Sequence, residues 1–394
     1  MGVLERGENT ASAQVGEDQQ AWTVSVGLVV DPGWPAELTQ RVAEQLSAEL
    51  QRRVSGHACW QVCTVVDDLP LDAQDRVPIV TIAHETMPIY TFDLLVCVTD
   101  QPRREGTRPV LADISTTHGV GLVSLPSLGG LRTQPHLRAA LVHLVGVLTA
   151  HRLTGVQTHS PQHYRIHSRP SEWISPIRQV PSAHQDLDMQ LALTGIRSRV
   201  RLLWGLVRNN RPWRLVPSLS KALAAASGTA AFGVFYPSIW GMAHALSPTR
   251  LAGIALFAIA AMIGWLITYN NLWDRPHTRA DREKAVLYNL ATVATLFIGV
   301  CCMYAVLMTV TLLAALAVIS QSYLQAQVGA PVGISTYLCL TWLASSMGTV
   351  AGALGSSLEG EQAVHQATYS AREQQRRARN HERQQAQEHQ PQQS

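Results

Sequence analysis

AVLYNLATVATLFIGVCCMYAVLMTVTLLAALAVIS, Ala285–Ser320, contains no Asp, Glu, Lys, Arg or His, and the charge-free run continues to Leu358. A bilayer core of about 30 Å is crossed by roughly 20 helical residues. The stretch therefore reads as membrane-embedded, and it is longer than one crossing needs. Three further apolar stretches flank it: Ala222–Ala243 with Pro237 as a kink, Leu251–Tyr269, and Val332–Leu354. The chain has 394 residues, of which 15% are charged. Soluble chains carry about 25%, so the composition excludes a wholly soluble protein. The net charge of +3 gives no sign of nucleic-acid binding. Arg so outnumbers Lys (only Lys221 and Lys284) that the coding has a GC-rich, actinobacterial cast.

Charge also orients the spans. The loop Asn270–Lys284 carries Arg275, Arg279, Arg282 and Lys284, and the tail beyond Glu359 carries Arg372, Arg376, Arg377, Arg379 and Arg383. The connections His244–Arg250 and Gln321–Pro331 hold only Arg250. Basic loops stay cytoplasmic. Four spans over 222–358 with both ends inside satisfy every loop, and five would put the Arg-rich tail outside. Ala285–Ser320 is accordingly expected as one long helix rather than a hairpin, in a bacterial plasma membrane. The spans after the first lack Asp, Glu, Lys, Arg and His, which disfavours an ion-coupled transporter. Asn289 and Thr309 leave a transporter of a neutral solute as an alternative. In the last span Ala344, Gly348, Gly352 and Ser356 recur every four residues. Small residues so spaced let two helix backbones approach closely, either within the chain or between subunits of a homo-oligomer.

Residues 21–153 alternate strand-like and helical patterns, the signature of an α/β domain. Trp22–Val30, Trp60–Val66, Val77–Ile82, Phe92–Thr99 and Val120–Leu125 read as strands. Pro35–Val54 and Leu137–Leu153 read as helices, the first with Leu38, Val42, Leu46 and Leu50 on one face. The fold class expected is thus an α/β cytoplasmic domain followed by an all-α transmembrane domain of four helices. Met1–Gln20 has no apolar core for export and is expected to be disordered. Residues 154–188, with Pro161, Pro170, Pro176, Pro181 and the spaced His159, His163 and His167, read as a solvated linker. Residues 359–394, rich in Gln and Arg, read as a low-complexity cytoplasmic tail.

Candidate chemistry is sparse. Cys59 and Cys63, with His57 nearby, lack an evident fourth metal ligand and read as structural thiols. Asp67 and Asp68 would point to opposite faces of a strand, and Asp100 reads as a strand terminator. No P-loop or dinucleotide fingerprint is present. The strand order and the apolar helix Leu137–Leu153 resemble the minimal metzincin-like domain of archaemetzincins. That family's helix carries His-Glu, a second His four residues on, then Gly and a third His, which together grip zinc. His143 matches the first ligand, while Leu144, Val147, Ala150 and Leu153 stand at the other positions. The resemblance implies a relative without the metal site. No catalytic, cofactor-binding or metal residue is assigned and no cofactor is expected. A membrane-tethered, metal-dependent hydrolase is the alternative.

Between the two halves, 189–221 forms a basic collar in which Arg197, Arg199, Arg201, Arg208, Arg211 and Arg214 alternate with apolar residues and with Trp204 and Trp213. Such a helix suits an anionic membrane surface. The expected partners are therefore the lipid bilayer, its anionic headgroups and an unidentified protein. The expected role is binding, sensing or scaffolding without catalysis.

Overall fold

In the computed structural model the described residues are 22–72, 76–105, 108–153, 177–181, 187–193, 197–274 and 279–358. The segments 1–21, 154–176 and 359–394, which include the His159–His167 repeat and the Arg-rich tail, lie outside them.

The first half is built on an eight-stranded mixed sheet. In chain order its elements are β1 (Trp22–Val30), α1 (Trp34–Arg53), β2 (Ala58–Val66), α2 (Ile79–Tyr90), β3 (Leu94–Thr99), β4 (Arg103–Glu105), β5 (Arg108–Ser115), β6 (Val120–Ser124), a 3₁₀ turn (Leu125–Leu128), α3 (Thr133–Arg152), β7 (Ile177–Pro181) and β8 (Met189–Leu193). The strand order is β2-β1-β3-β6-β5-β8-β7, with β4 paired to β5. β2, β1, β3 and β6 run parallel, and β4, β5, β8 and β7 continue the sheet antiparallel. From β1 the chain steps outward to β2 and then crosses back to β3, so the order reverses at β1. Right-handed crossovers then force α1 and α2 onto opposite faces. One face carries α1 and α3, with Leu38, Val42, Leu46, Leu50, Leu141, Leu144, Val145 and Leu148 packed on Val26, Leu28, Val96 and Val98. The other carries α2, with Ile79, Ile82 and Ala83 on Val29, Leu95, Cys97 and Leu122.

Three expectations change here. Val77–Ile82 is not a strand: the chain turns helical at Ile79, after Pro78, and buries Ile79, Ile82 and Ala83 at helical spacing. The segment read as a linker contributes β7, and the first residues of the segment read as the collar helix form the strand β8. These strands cap the edge of β5, whose backbone groups would otherwise lie open.

The second half is helical: α4 (Arg197–Asn209), a 3₁₀ turn (Pro212–Arg214), α5 (Leu215–Ser218), α6 (Ser220–Phe235), α7 (Pro237–Ala245), α8 (Pro248–Tyr269), α9 (Arg279–Val318), α10 (Gln321–Val328), α11 (Ile334–Gly355) and a final 3₁₀ turn (Ser356–Leu358). α8, Ala285–Val318 of α9, and α11 are each long and apolar enough to cross a membrane. α6 and α7, bent by 87° at Pro237, make a fourth span if taken together. Ala285–Ser320 is a single helix to Val318, not a hairpin. The kink expected at Pro237 is a sharp corner. Proline offers no N–H to Gly233 four residues back, and the Trp240 indole Nε1–H donates to that carbonyl instead (3.1 Å).

Two apolar clusters mark the ends of the bundle. Leu219 and Ala222 of α5–α6, Leu266 of α8, Leu296 and Val300 of α9 and Ala353 of α11 meet at one end. Val234 of α6, Leu251 of α8, Ala315 of α9 and Tyr337 and Leu340 of α11 meet at the other. Each of the four helices therefore runs from one end to the other. The small-residue face of α11 is used within the chain. Ala344, Gly348, Gly352 and Ser356 are all buried. A Cβ at Gly348 would lie 2.4 Å from the Ala226 carbonyl oxygen of α6, and one at Gly352 2.9 Å from that of Ala222. The facing helix answers with Ala222, Ala226 and Ala230, spaced by four as well.

Candidate functional site

Three parallel strands are each followed or closed by an aspartate at their carboxyl ends: Asp31, Asp67 and Asp100. In open α/β sheets ligands enter at this edge, where the strand order reverses. Here the chain itself fills the reversal point. Asp31 is 1% exposed. Its Oδ1 accepts the Leu69 N–H (3.1 Å) and its Oδ2 accepts the Thr99 hydroxyl (2.5 Å). Burial, reinforced by the Asp31 carboxylate, pushes the neighbouring Cys97 thiol up, which leaves it an unreactive packing residue.

From this point a polar seam runs across the sheet. Thr99 Oγ1 accepts the Gln101 N–H (3.1 Å), the Ser124 hydroxyl donates to the Gln101 carbonyl (2.7 Å), and the Ser127 hydroxyl donates to that of Val110 (2.8 Å). It ends at the ion pair of Arg103 with Asp113, whose side chains are 12% and 2% exposed. Nearby, Ser115 Oγ lies 2.9 Å from His118 Nδ1, and the His118 ring meets His84 edge-on. Asp188 Oδ2 accepts from the Thr116 N–H and hydroxyl (2.6 and 2.7 Å). Burial raises the Asp188 pKa, but the Thr116 hydroxyl and the Thr116 and Thr117 N–H groups outweigh it and hold it below the usual carboxylate range. This trio staples the β5–β6 turn to β8.

The sequence reading missed Asp31, Arg103, Asp113 and Gln190. A signal was present for the first, because apolar strands ending in VVD, VVD and VTD repeat one pattern. Nothing local marks the others. His143, aligned with the first metzincin ligand, lies buried in α3, with Leu144 and Val147 in the apolar core.

The collar splits between two surfaces. α4 lays Ser198, Leu202, Gly205, Leu206 and Asn209 inward. Gly205 sits so close to the 3₁₀ turn that a Cβ would lie 2.0 Å from the Pro126 carbonyl oxygen. Arg201 Nη2 donates to the Leu128 carbonyl (3.3 Å). Arg208 stacks over Trp34 of α1 and over Trp213, with its guanidinium carbon 5.3 and 4.5 Å from the ring centres. Arg211 stacks over Trp34 as well (4.9 Å) and pairs with Glu37, whose carboxyl its hydrogen bond holds below the usual range. Arg201, Arg208 and Arg211 thus contact the α/β domain, where the sequence reading gave all six to anionic headgroups. Basic spacing alone does not distinguish the two sides of such a helix. Arg197, Arg199 and Arg214 remain exposed, beside exposed Val200, Trp204 and Trp213. At the other end of α4, Asn210 Nδ2 donates to Thr295 Oγ1 of α9 (3.2 Å). The collar therefore touches both halves of the protein.

The junction carries a pH dependence of definite sign. Half-buried His136 of α3 faces Arg201 of α4, Arg132 at the head of α3 and the Leu128 carbonyl of the turn, which has no titratable side chain. Burial first, then the two arginines, lowers its pKa. The unfolded state, with a histidine pKa near 6.5, takes up the proton first as pH falls. His136 thus contributes stability above about pH 6.5 that declines as pH falls toward the depressed folded value. Melting temperatures of the detergent-solubilised protein across this range should fall less in His136→Gln than in the parent. Parallel curves would refute the assignment.

Family models, curated proteins and solved structures were all compared with this chain, and none matches it.

Proposed function

We propose that this is a multi-pass bacterial plasma-membrane protein whose cytoplasmic α/β domain is a non-catalytic binding or sensing module, read by the helical bundle through α4. The observation that carries this is the double contact of α4: Gly205 lies on the Pro126 turn at the ligand-entry edge of the sheet, and Asn210 lies on Thr295 of α9. A rearrangement at that edge would be felt by a membrane helix one side chain away. On the metzincin resemblance, the domain is a relative that kept the layers and lost the zinc ligands. Arg197, Arg199 and Arg214 meet anionic headgroups, with Trp204 and Trp213 in the interfacial zone. A protein partner on the cytoplasmic side completes the reading. Any homo-oligomer uses a surface other than the small-residue face of α11.

Loop charge supports four crossings with both termini cytoplasmic. Reporter fusions after Ser247 and Val328 should read outside, and fusions after Arg279 and Arg383 inside. A tail that reads outside overturns the orientation. In the same membranes, Gln at positions 197, 199 and 214 should reduce stabilisation by added phosphatidylglycerol, an effect that salt screens. Unchanged stabilisation would remove these arginines from the headgroups.

A further inference from the structure

Asp113 of β5 and Gln190 of β8 stand directly opposite each other in the antiparallel ladder. Opposed residues project from the same face of a sheet with Cβ atoms about 5 Å apart. Both are almost fully buried, at 1% and 2% exposure. Arg103 places Nε and Nη2 on one carboxylate oxygen, Asp113 Oδ2, at 2.9 and 2.6 Å. A guanidinium ordinarily forks across both oxygens of a carboxylate. Here, among the described residues, Asp113 Oδ1 is left with no hydrogen-bond partner, and so is Gln190 Oε1. A buried acceptor without a partner is costly, and each of these two, on residues opposed across the ladder, asks for a donor.

We propose that Asp113 and Gln190 together bind an NH₂-bearing nitrogen (amine, ammonium or carboxamide) of a small polar ligand; this rests on the reading of the domain as a binding module. Two acceptors on neighbouring strands call for one atom with two protons to give. Arg103 already balances the Asp113 charge, so a neutral amide suits the site as well as a cation. A hard metal ion does not suit it, since calcium takes six to eight oxygen ligands and magnesium a near-ideal octahedron. Ser115, two residues from Asp113 on the same face of β5, contacts His118, whose ring meets that of His84.

The test uses the full chain in detergent micelles, with methylammonium, acetamide and tetramethylammonium as probes and thermal unfolding as readout. Methylammonium and acetamide should raise the melting temperature, while tetramethylammonium, a cation without N–H donors, should not. Gln190→Leu removes one acceptor without disturbing the ion pair and should weaken the apparent affinity roughly tenfold or more. Gln190→Glu retains acceptors in the same shape and should favour methylammonium over acetamide, which keeps the test decisive if the leucine variant folds poorly. Equal responses to all three probes, no response to any, or an unchanged response in both variants overturns the proposal and assigns the pair to a buried water. The reporter fusions do not involve Asp113 or Gln190, so failure here is separable from failure of the membrane-module reading.

Discussion

Gly348→Ile should unfold the helical bundle, while Leu354→Ile leaves it intact. The glycine lies at a close approach of α11 to α6, and even a single Cβ would stand 2.4 Å from the Ala226 carbonyl oxygen and 3.2 Å from the Ala230 Cβ. The first obstacle is backbone inside a helix, which cannot rotate aside as a flexible side chain can. Overpacking a close-packed interior costs about 1–3 kcal/mol, and a backbone clash lies at the top of that range. Helices in lipid gain little from hydrophobic burial against each other and depend on this close contact. Leu354 is on the same helix but 61% exposed, so the same isoleucine there changes only a lipid-facing surface. Gly352→Ile, with its nearest obstacle at 2.9 Å, should fall between the two. Melting of the detergent-solubilised protein and protease resistance at equal expression give the order. A Gly348→Ile protein as stable as the parent would mean that α6 and α11 do not pack this way.

The second large effect is expected at the collar. Gly205→Val should lift α4 off the α/β domain without unfolding either half. Its Cβ would sit 2.0 Å from the Pro126 carbonyl oxygen and 2.7 Å from the carbonyl carbon, and valine adds two methyl groups to that overlap. The domain keeps its own cores on both sheet faces, and the bundle keeps its two end clusters. The junction loses the Arg201–Leu128 hydrogen bond and the stacking of Arg208 and Arg211 on Trp34. Cation–π pairs contribute about 0.5–2 kcal/mol each, so opening this contact removes several kcal/mol. Limited proteolysis should cut the variant near α4 and release a folded α/β fragment, while the parent resists. Trp34 emission should shift to the red as its guanidinium cover leaves. Proteolysis and emission like those of the parent would show that α4 does not bind the domain through Gly205.

The amphipathic spacing of Leu38, Val42, Leu46 and Leu50 and the charge-free run from Ala285 were legible because each reports a local period or a local solvent. The helix buries that stripe against the sheet, and Ala285–Val318 lies in one continuous helix, long and apolar enough to cross a membrane. Val77–Ile82 was misread because a short apolar run has no period to separate strand from helix. The candidate site was nearly invisible. Asp113 and Gln190 belong to strands far apart in the chain, and Gln190 lay in a stretch whose composition reads as linker and collar.

The sequence by itself determined the class of the protein: an α/β half followed by a helical half with stretches long and apolar enough to cross a membrane. These follow from hydropathy, side-chain period and charge, properties that each residue carries wherever it sits. Only the tertiary structure decided what each face touches. It divided the arginines of α4 between Trp34 and open surface, matched Ala344, Gly348 and Gly352 to α6, and brought Asp113 opposite Gln190. Such pairings depend on which distant surfaces come together, and the local pattern of one segment does not name the other.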